Sequence, residues 1–157
     1  MRLSPQAFKV AHRIRVIYWR LLKPTTVGVR VAAFDERGQV LLVRHTYMPG
    51  WYLPGGGLKP RETLEQAARR ELREETGLTT SEIVLAGAFT SIVEGKTDHV
   101  LLFRTRVSGA LVPTSPEIAE SRWFAVEALP EDCPPATRRR IAGLASTQTL
   151  SIPTGPW

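Results

Sequence analysis

The period of apolar positions changes several times along the chain, and each change marks an element. Over residues 4–22, Ala7, Val10, Ala11, Ile14, Ile17, Tyr18 and Leu21 recur at helical spacing. Ser4 serves as N-cap, Pro5 takes the first helical position and Pro24 is the stop, which predicts an amphipathic helix. β-Branched and apolar residues then crowd Thr26–Phe34 and Val40–His45, two strands joined across the turn Asp35-Glu36-Arg37-Gly38. A short extended segment, Trp51–Leu53, leads into Pro54 and Gly55-Gly56-Gly57. The helical period returns over Leu64–Thr76. Further strands are predicted at Ile83–Phe89, His99–Val107 and Arg122–Val126, and a last helix at Ala136–Ala145, after Pro134-Pro135. Strands mixed with helices, some of the strands adjacent in sequence, predict an α/β fold with a mixed β-sheet covered by helices on both faces.

Charge divides the chain in two. Residues 1–23 hold Arg2, Lys9, Arg13, Arg15, Arg20 and Lys23 and no acid, which accounts for the whole net charge of +6. Residues 24–157 are balanced, so they read as one neutral domain, without the basic body expected of a nucleic-acid-binding protein. The basic helix has three readings. It docks on the domain or on a second copy, making a homodimer; it lies on an anionic membrane, with Phe8 and Trp19 off the main stripe; or it binds an anionic polymer such as RNA. Its apolar residues are interrupted by Lys9, Arg13, Arg15 and Arg20, unlike a secretory signal. No apolar run approaches the roughly 20 residues that span a bilayer. Cys133 is the only cysteine, which rules out an internal disulfide and a thiolate cluster and fits a reducing cytoplasm.

The helix over Leu64–Thr76 is bounded by its own chemistry. Thr63-Leu64-Glu65-Gln66 is a capping box and Gly77 a C-terminal stop. On a helical wheel, Leu64, Ala67, Ala68 and Leu72 form the inward stripe. Glu71, Glu74 and Glu75 fall on the same side, within roughly 100° of arc, while Arg69 and Arg73 point away. A Glu/Arg-rich helix is ordinarily a solvated face laced with i,i+4 pairs. Three carboxylates that continue a buried face do not fit that reading, because they repel one another and are costly to bury unpaired. Such a cluster is stable with something positive bound in it. No Cys or His is near in sequence, so the donors are all oxygen, which suits Mg²⁺ or Mn²⁺ over zinc.

Gly56 is followed after five residues by Glu62, and after seven more by Arg70-Glu71-Leu72-Arg73-Glu74-Glu75-Thr76-Gly77-Leu78. This run resembles the complete signature of the Nudix hydrolase family, with nine specified positions over 23 residues. The order of elements around it is similar over roughly residues 26–145. The resemblance implies a Nudix-type α/β/α sandwich and metal-dependent hydrolysis of a nucleoside diphosphate linked to another moiety. It implies Glu71, Glu74 and Glu75 as metal ligands, joined by the backbone carbonyl of Gly56, and an Arg70–Glu62 ion pair that holds the loop against the helix. The metal would neutralise the diphosphate and acidify a water, whose proton a glutamate takes. Glu74 or Glu71 is the expected base, with Glu120 as a further candidate. The segment from Pro116 to Trp123 resembles a loop from which many members supply another acidic ligand, so Glu120 joins the expected metal set, ahead of Glu117. The glycine loop departs from the family pattern at Lys59 and Arg61. Lys59 is a candidate for a substrate phosphate, or simply an exposed lysine in a turn.

Substrate identity is less legible. Markers of family subgroups are absent: there is no proline near Val93 or Glu94 and no tyrosine near Gly95 or Lys96. Arg30 and Arg44, on strands beside the glycine loop, are candidates for phosphate binding. Trp51 or Tyr52 is a candidate for stacking on a base, or else for plain packing. Two function classes follow: a metal-dependent nucleotide pyrophosphohydrolase, and a Nudix-like module that senses a nucleotide without cleaving it. The complete acidic set favours the hydrolase.

Overall fold

A computed structural model describes residues 24–93, 96–146 and 154–157; the helix expected over residues 4–22 lies outside the described residues. The elements are β1 (Thr25–Phe34), β2 (Val40–His45), β3 (Trp51–Tyr52), α1 (Leu64–Thr76), β4 (Val84–Val93), β5 (Lys96–Arg106), β6 (Ile118–Phe124), α2 (Pro135–Ser146) and β7 (Thr154–Pro156). Among the described residues the strands form one mixed sheet in the order β3-β2-β1-β5-β4-β7, with β6 on β2.

The feature that makes the site is a splay between β1 and β2. The two are in register at Phe34↔Val40, beside their shared turn, where the Asp35 carboxylate accepts the N–H groups of Arg37 and Gln39. Further along, β2 takes β3 as neighbour, through Val43↔Tyr52 and Arg44↔Trp51. The chain then crosses to β1, where the N–H groups of Val31 and Val29 donate to the carbonyls of Pro54 and Gly56 at 2.8 and 2.9 Å. The glycine loop is thus bonded to β1 while still tethered to β2 through β3.

Strand alternation sorts the core into two layers. Val29, Val31, Ala33 and Leu41 pack with Ala67, Ala68 and Leu72 of α1. Ala32, Phe34, Val40 and Leu42 pack with Ile141 and Leu144 of α2. One helix therefore covers each face, the α/β Nudix arrangement expected.

Three departures from the expected elements have one cause, cross-strand pairing that a strand's own pattern does not display. β4 runs on past Phe89 through the polar Thr90 and Ser91, because it pairs with β5 up to Val93↔Lys96. β7, which no pattern announced, adds to β4 at Ala88↔Thr154. β6 begins at Ile118 rather than Arg122, because β2 offers it a partner from Val40↔Phe124 to His45↔Ile118. This places Glu120 inside a strand, not in a loop ahead of it.

Candidate active site

Local chemistry fixes α1 at both ends. The Thr63 hydroxyl accepts the Gln66 N–H at 3.2 Å and the Gln66 side chain accepts the Thr63 N–H at 2.8 Å, closing the capping box. Gly77 adopts the left-handed conformation (φ 79°), and its N–H donates to the Arg73 carbonyl. The last carbonyls of the helix find donors in the chain ahead of β6. Val112 donates to Thr76, and Thr114 and Ser115 donate to Glu74 at 3.0 and 2.8 Å. These bonds hold the Glu117 region against the end of α1.

The loop approaches its neighbours closely at both glycines, against backbone at Gly55 and against a side-chain end at Gly56. A Cβ on Gly55 (φ 150°) would lie 2.1 Å from the Val29 carbonyl oxygen, and one on Gly56 would lie 2.5 Å from Oε1 of Glu71. Glu75, 5% exposed, reaches into this contact and accepts the Gly55 N–H at 2.9 Å. Burial pushes its carboxyl up to about 8, against the pull of the Gly55 hydrogen bond and the Arg30 charge. Burial also raises Glu71, opposed mainly by the Arg70 hydrogen bond.

Arg70 joins loop and helix. Its Nε and Nη2 grip both oxygens of Glu62 at 2.7 and 2.8 Å, and Nη2 also donates to the Gly57 carbonyl at 3.1 Å. Nη1 reaches Glu71 at 2.6 Å and Glu74 at 3.2 Å. All five guanidinium N–H directions are used, a geometry that a lysine ammonium does not reproduce. The Arg70 hydrogen bonds hold Glu62 down to about 2.

The remaining sequence candidates separate. Lys59 sits over the site, with Nζ 3.4 Å from Glu74, and is well exposed. Arg30 shares parity with Ala32 and Phe34, yet at the splay its charge acts on Glu71 and Glu75. Among the described residues its guanidinium meets only the Val29 carbonyl, at 3.5 Å. Arg44 faces the α2 side, covers the Trp51 ring at 4.6 Å and lies 4.0 Å from Glu120.

Two candidates stand in other surroundings. Trp51 packs, the second of its two expected readings: it is 2% exposed, with Phe124 edge-on at 4.8 Å and Arg44 and Arg122 over the ring. Glu120 is paired with Arg44 across the strands and bonded by Arg122, on the face away from α1. The acid that does act on Glu75 from that segment is Glu117.

His45 is the residue that sequence reasoning passed over. It is 8% exposed, burial and then the Arg30 charge lower it to about 4, and its Nδ1 has no hydrogen-bond partner. The available signal was a polar residue in phase with the apolar Leu41 and Val43.

The donor set fits a hard cation in kind, since every candidate ligand is an oxygen. Among the described residues no three acidic, His or Cys side chains already converge on one point. The carboxylates are turned to Arg70, Lys59 and the Gly55 N–H instead. The Gly56 carbonyl accepts the Val29 N–H and keeps a second lone pair.

A splayed mixed sheet whose glycine loop is clamped to a glutamate-bearing helix defines the Nudix class. The family model for the NUDIX domain matches residues 24–143, and the chain belongs to this family. It is similar to a putative 8-oxo-dGTP diphosphatase of Bacillus subtilis (strain 168), 33% identical over 116 residues, 74% of this chain and 77% of that protein. An RNA pyrophosphohydrolase of Marinomonas sp. (strain MWYL1) is 41% identical over 60 residues, 38% of this chain and 37% of that protein. Among solved structures, the MutT protein from Methanosarcina mazei Go1 superposes with a TM-score of 0.70 at 27% identity, covering 79% of this chain and 95% of that one. The chain is an enzyme of the pyrophosphohydrolase class. Among the described residues no helix is long and apolar enough to cross a membrane.

Proposed function

We propose that the chain hydrolyses a diphosphate bond in a nucleoside diphosphate linked to another moiety, with Mg²⁺ or Mn²⁺ held by Glu71, Glu74, Glu75 and the Gly56 carbonyl. The observation that carries this reading is the seating of Glu71 and Glu75 against Gly56 and Gly55, where a side chain on either glycine would collide. A diphosphatase of 8-oxo-dGTP and a pyrophosphohydrolase of RNA among the relatives support a nucleotide substrate.

A bound divalent ion supplies charge neutralisation on the diphosphate and a more acidic water. The chain's own groups do the rest. Arg70 and Glu62 lock the loop to α1 and orient Glu71. Glu74 is the most exposed of the three acids that Arg70 contacts, so it is free to leave Lys59 and take the proton, with Glu71 as second candidate. Arg30, free of a carboxylate partner among the described residues, binds a substrate phosphate oxygen, and Lys59 does so from the exposed rim. Glu120 is left out of this reading, and Glu117 takes its place as the further acid.

The test is the appearance of cleavage products, separated by anion-exchange chromatography, from nucleoside triphosphates, dinucleoside polyphosphates, nucleotide sugars and capped RNA, with Mg²⁺ and with EDTA. Turnover of at least one of these in Mg²⁺, abolished by EDTA, is expected. Full turnover in EDTA, or none on any substrate, sinks the reading.

Residues 1–23 form a separate basic unit in this proposal, docked on the domain or on a second copy. Deleting them should then lower the melting temperature or change the oligomeric state. Loss of liposome or RNA binding alone would contradict docking. A cytoplasmic setting fits the single, buried Cys133.

A further inference from the structure

We infer that His45, with Thr46 beside it, reads the base of the nucleotide by hydrogen bonding; the inference rests on the nucleotide reading above. The run Val40–Val43 is buried and apolar, and His45 continues it in phase with Leu41 and Val43, where a further apolar residue would be the least costly choice. Opposite Arg44 and His45 the β2–β6 register shifts at Ala119, an irregularity of the kind that re-aims a side chain beside a site. Nδ1 of His45 and Oγ1 of Thr46 are both buried without a partner. An unpaired buried polar atom carries its full desolvation cost, so two in adjacent residues point to a missing partner.

The surroundings say which partner. The Arg30 charge acts on His45 and also on Glu71 and Glu75. The Thr46 N–H donates to the Glu117 carbonyl at 2.8 Å, and Glu117 acts on Glu75. The rings of Tyr47 and Tyr52 lie 5.3 and 5.9 Å from the imidazole. Ser115, two residues before Glu117, donates its N–H to the Glu74 carbonyl at 2.8 Å, so backbone bonds tie the orphaned pair to the end of α1 while two aromatic rings stand beside the imidazole. A phosphate is served by Arg30 and needs no neutral imidazole. A neutral imidazole and a hydroxyl, each able to donate and accept, suit the edge of a planar base whose face meets tyrosine.

The experiment compares wild type with His45→Gln, which keeps a neutral donor and acceptor, and His45→Leu, which removes both. Steady-state kinetics on ATP, GTP, CTP and UTP in Mg²⁺ are combined with the ¹⁵N shift of the His45 imidazole on adding the α,β-methylene analogue of the preferred nucleotide. His45→Leu should reduce discrimination between the best and worst base by about tenfold or more. The change should fall on KM with kcat little altered, and His45→Gln should restore most of it. The imidazole shift should move with the analogue. A wild type that treats the four bases alike, unchanged discrimination in both variants, or an unmoved ¹⁵N shift overturns the inference. Should His45→Leu fail to fold, His45→Gln and the ¹⁵N shift decide. A wild type that cleaves none of the four, nor any other nucleotide, fails the nucleotide reading instead.

Discussion

Glu75 accepts the backbone N–H of Gly55 at 2.9 Å, so one buried carboxylate ties the last turn of α1 to a loop twenty residues earlier. The same carboxylate is proposed as a metal ligand, which makes the loop geometry and the metal site one structure.

Glu75→Gln keeps an oxygen acceptor for Gly55 while removing the charge, and Glu74→Gln changes an exposed side chain. Both variants should fold, with an unchanged far-ultraviolet circular dichroism spectrum, and lose about 10²-fold or more in turnover. Near-normal turnover by both would remove these residues from the mechanism. The Glu75 carboxyl, at about 8 in the folded chain, lies above its ordinary 4.5. The stability it carries is therefore full below pH 4.5 and is lost as pH rises through about 8. In metal-free protein, Glu75→Gln should flatten that decline in urea melts.

The two loop glycines should fail differently. Gly55→Ala sets a methyl against the Val29 backbone at a positive φ and should destabilise by about 2 kcal/mol or more. Gly56→Ala meets the end of the Glu71 side chain, which can turn aside, so melting should change less while turnover collapses. Equal melting shifts for the two would contradict this account.

Arg70→Ala leaves Glu62, Glu71 and Glu74 without their common cation, in a pair only 12–13% exposed. It should cost about 3 kcal/mol. Arg70→Lys should recover only part of this, because an ammonium cannot grip both Glu62 oxygens. Chemical denaturation of the three proteins decides, and full recovery by lysine would show that charge alone matters.

His45 titrates at about 4 in the folded chain, below its ordinary 6.5, chiefly through burial. Its neutral form is favoured by folding, so the stability it contributes is present above pH 6.5 and is lost as pH falls through about 4. The difference in unfolding free energy between wild type and His45→Gln should therefore shift across pH 6.5 to 4 and be constant above it. A difference independent of pH would show that the imidazole does not titrate on unfolding.

The sequence alone determined α1, its caps, its inward acids and the glycines ahead of it. Each of these is local: a helical period, a capping box and fixed spacings lie within one turn or one loop of the residues they specify. It also determined most strand positions and a mixed sheet with helices on both faces, because β-branched runs and the turns between them mark strands without reference to a partner. Tertiary structure alone decided which acids and cations share a space. Glu117 and Glu120 are three positions apart, but the pairing of β6 with β2 and the shift at Ala119 send Glu120 to Arg44, while the charge that acts on Glu75 is that of Glu117. Trp51 was open to stacking or packing from sequence, and it packs because β3 pairs with β2 and Phe124 comes across the sheet. His45 acquired its burial, its orphaned nitrogen and its nearness to Arg30 from strands that local pattern could not place. Such long-range pairings are set by the summed burial and hydrogen bonding of the whole sheet, and no window of sequence contains that sum.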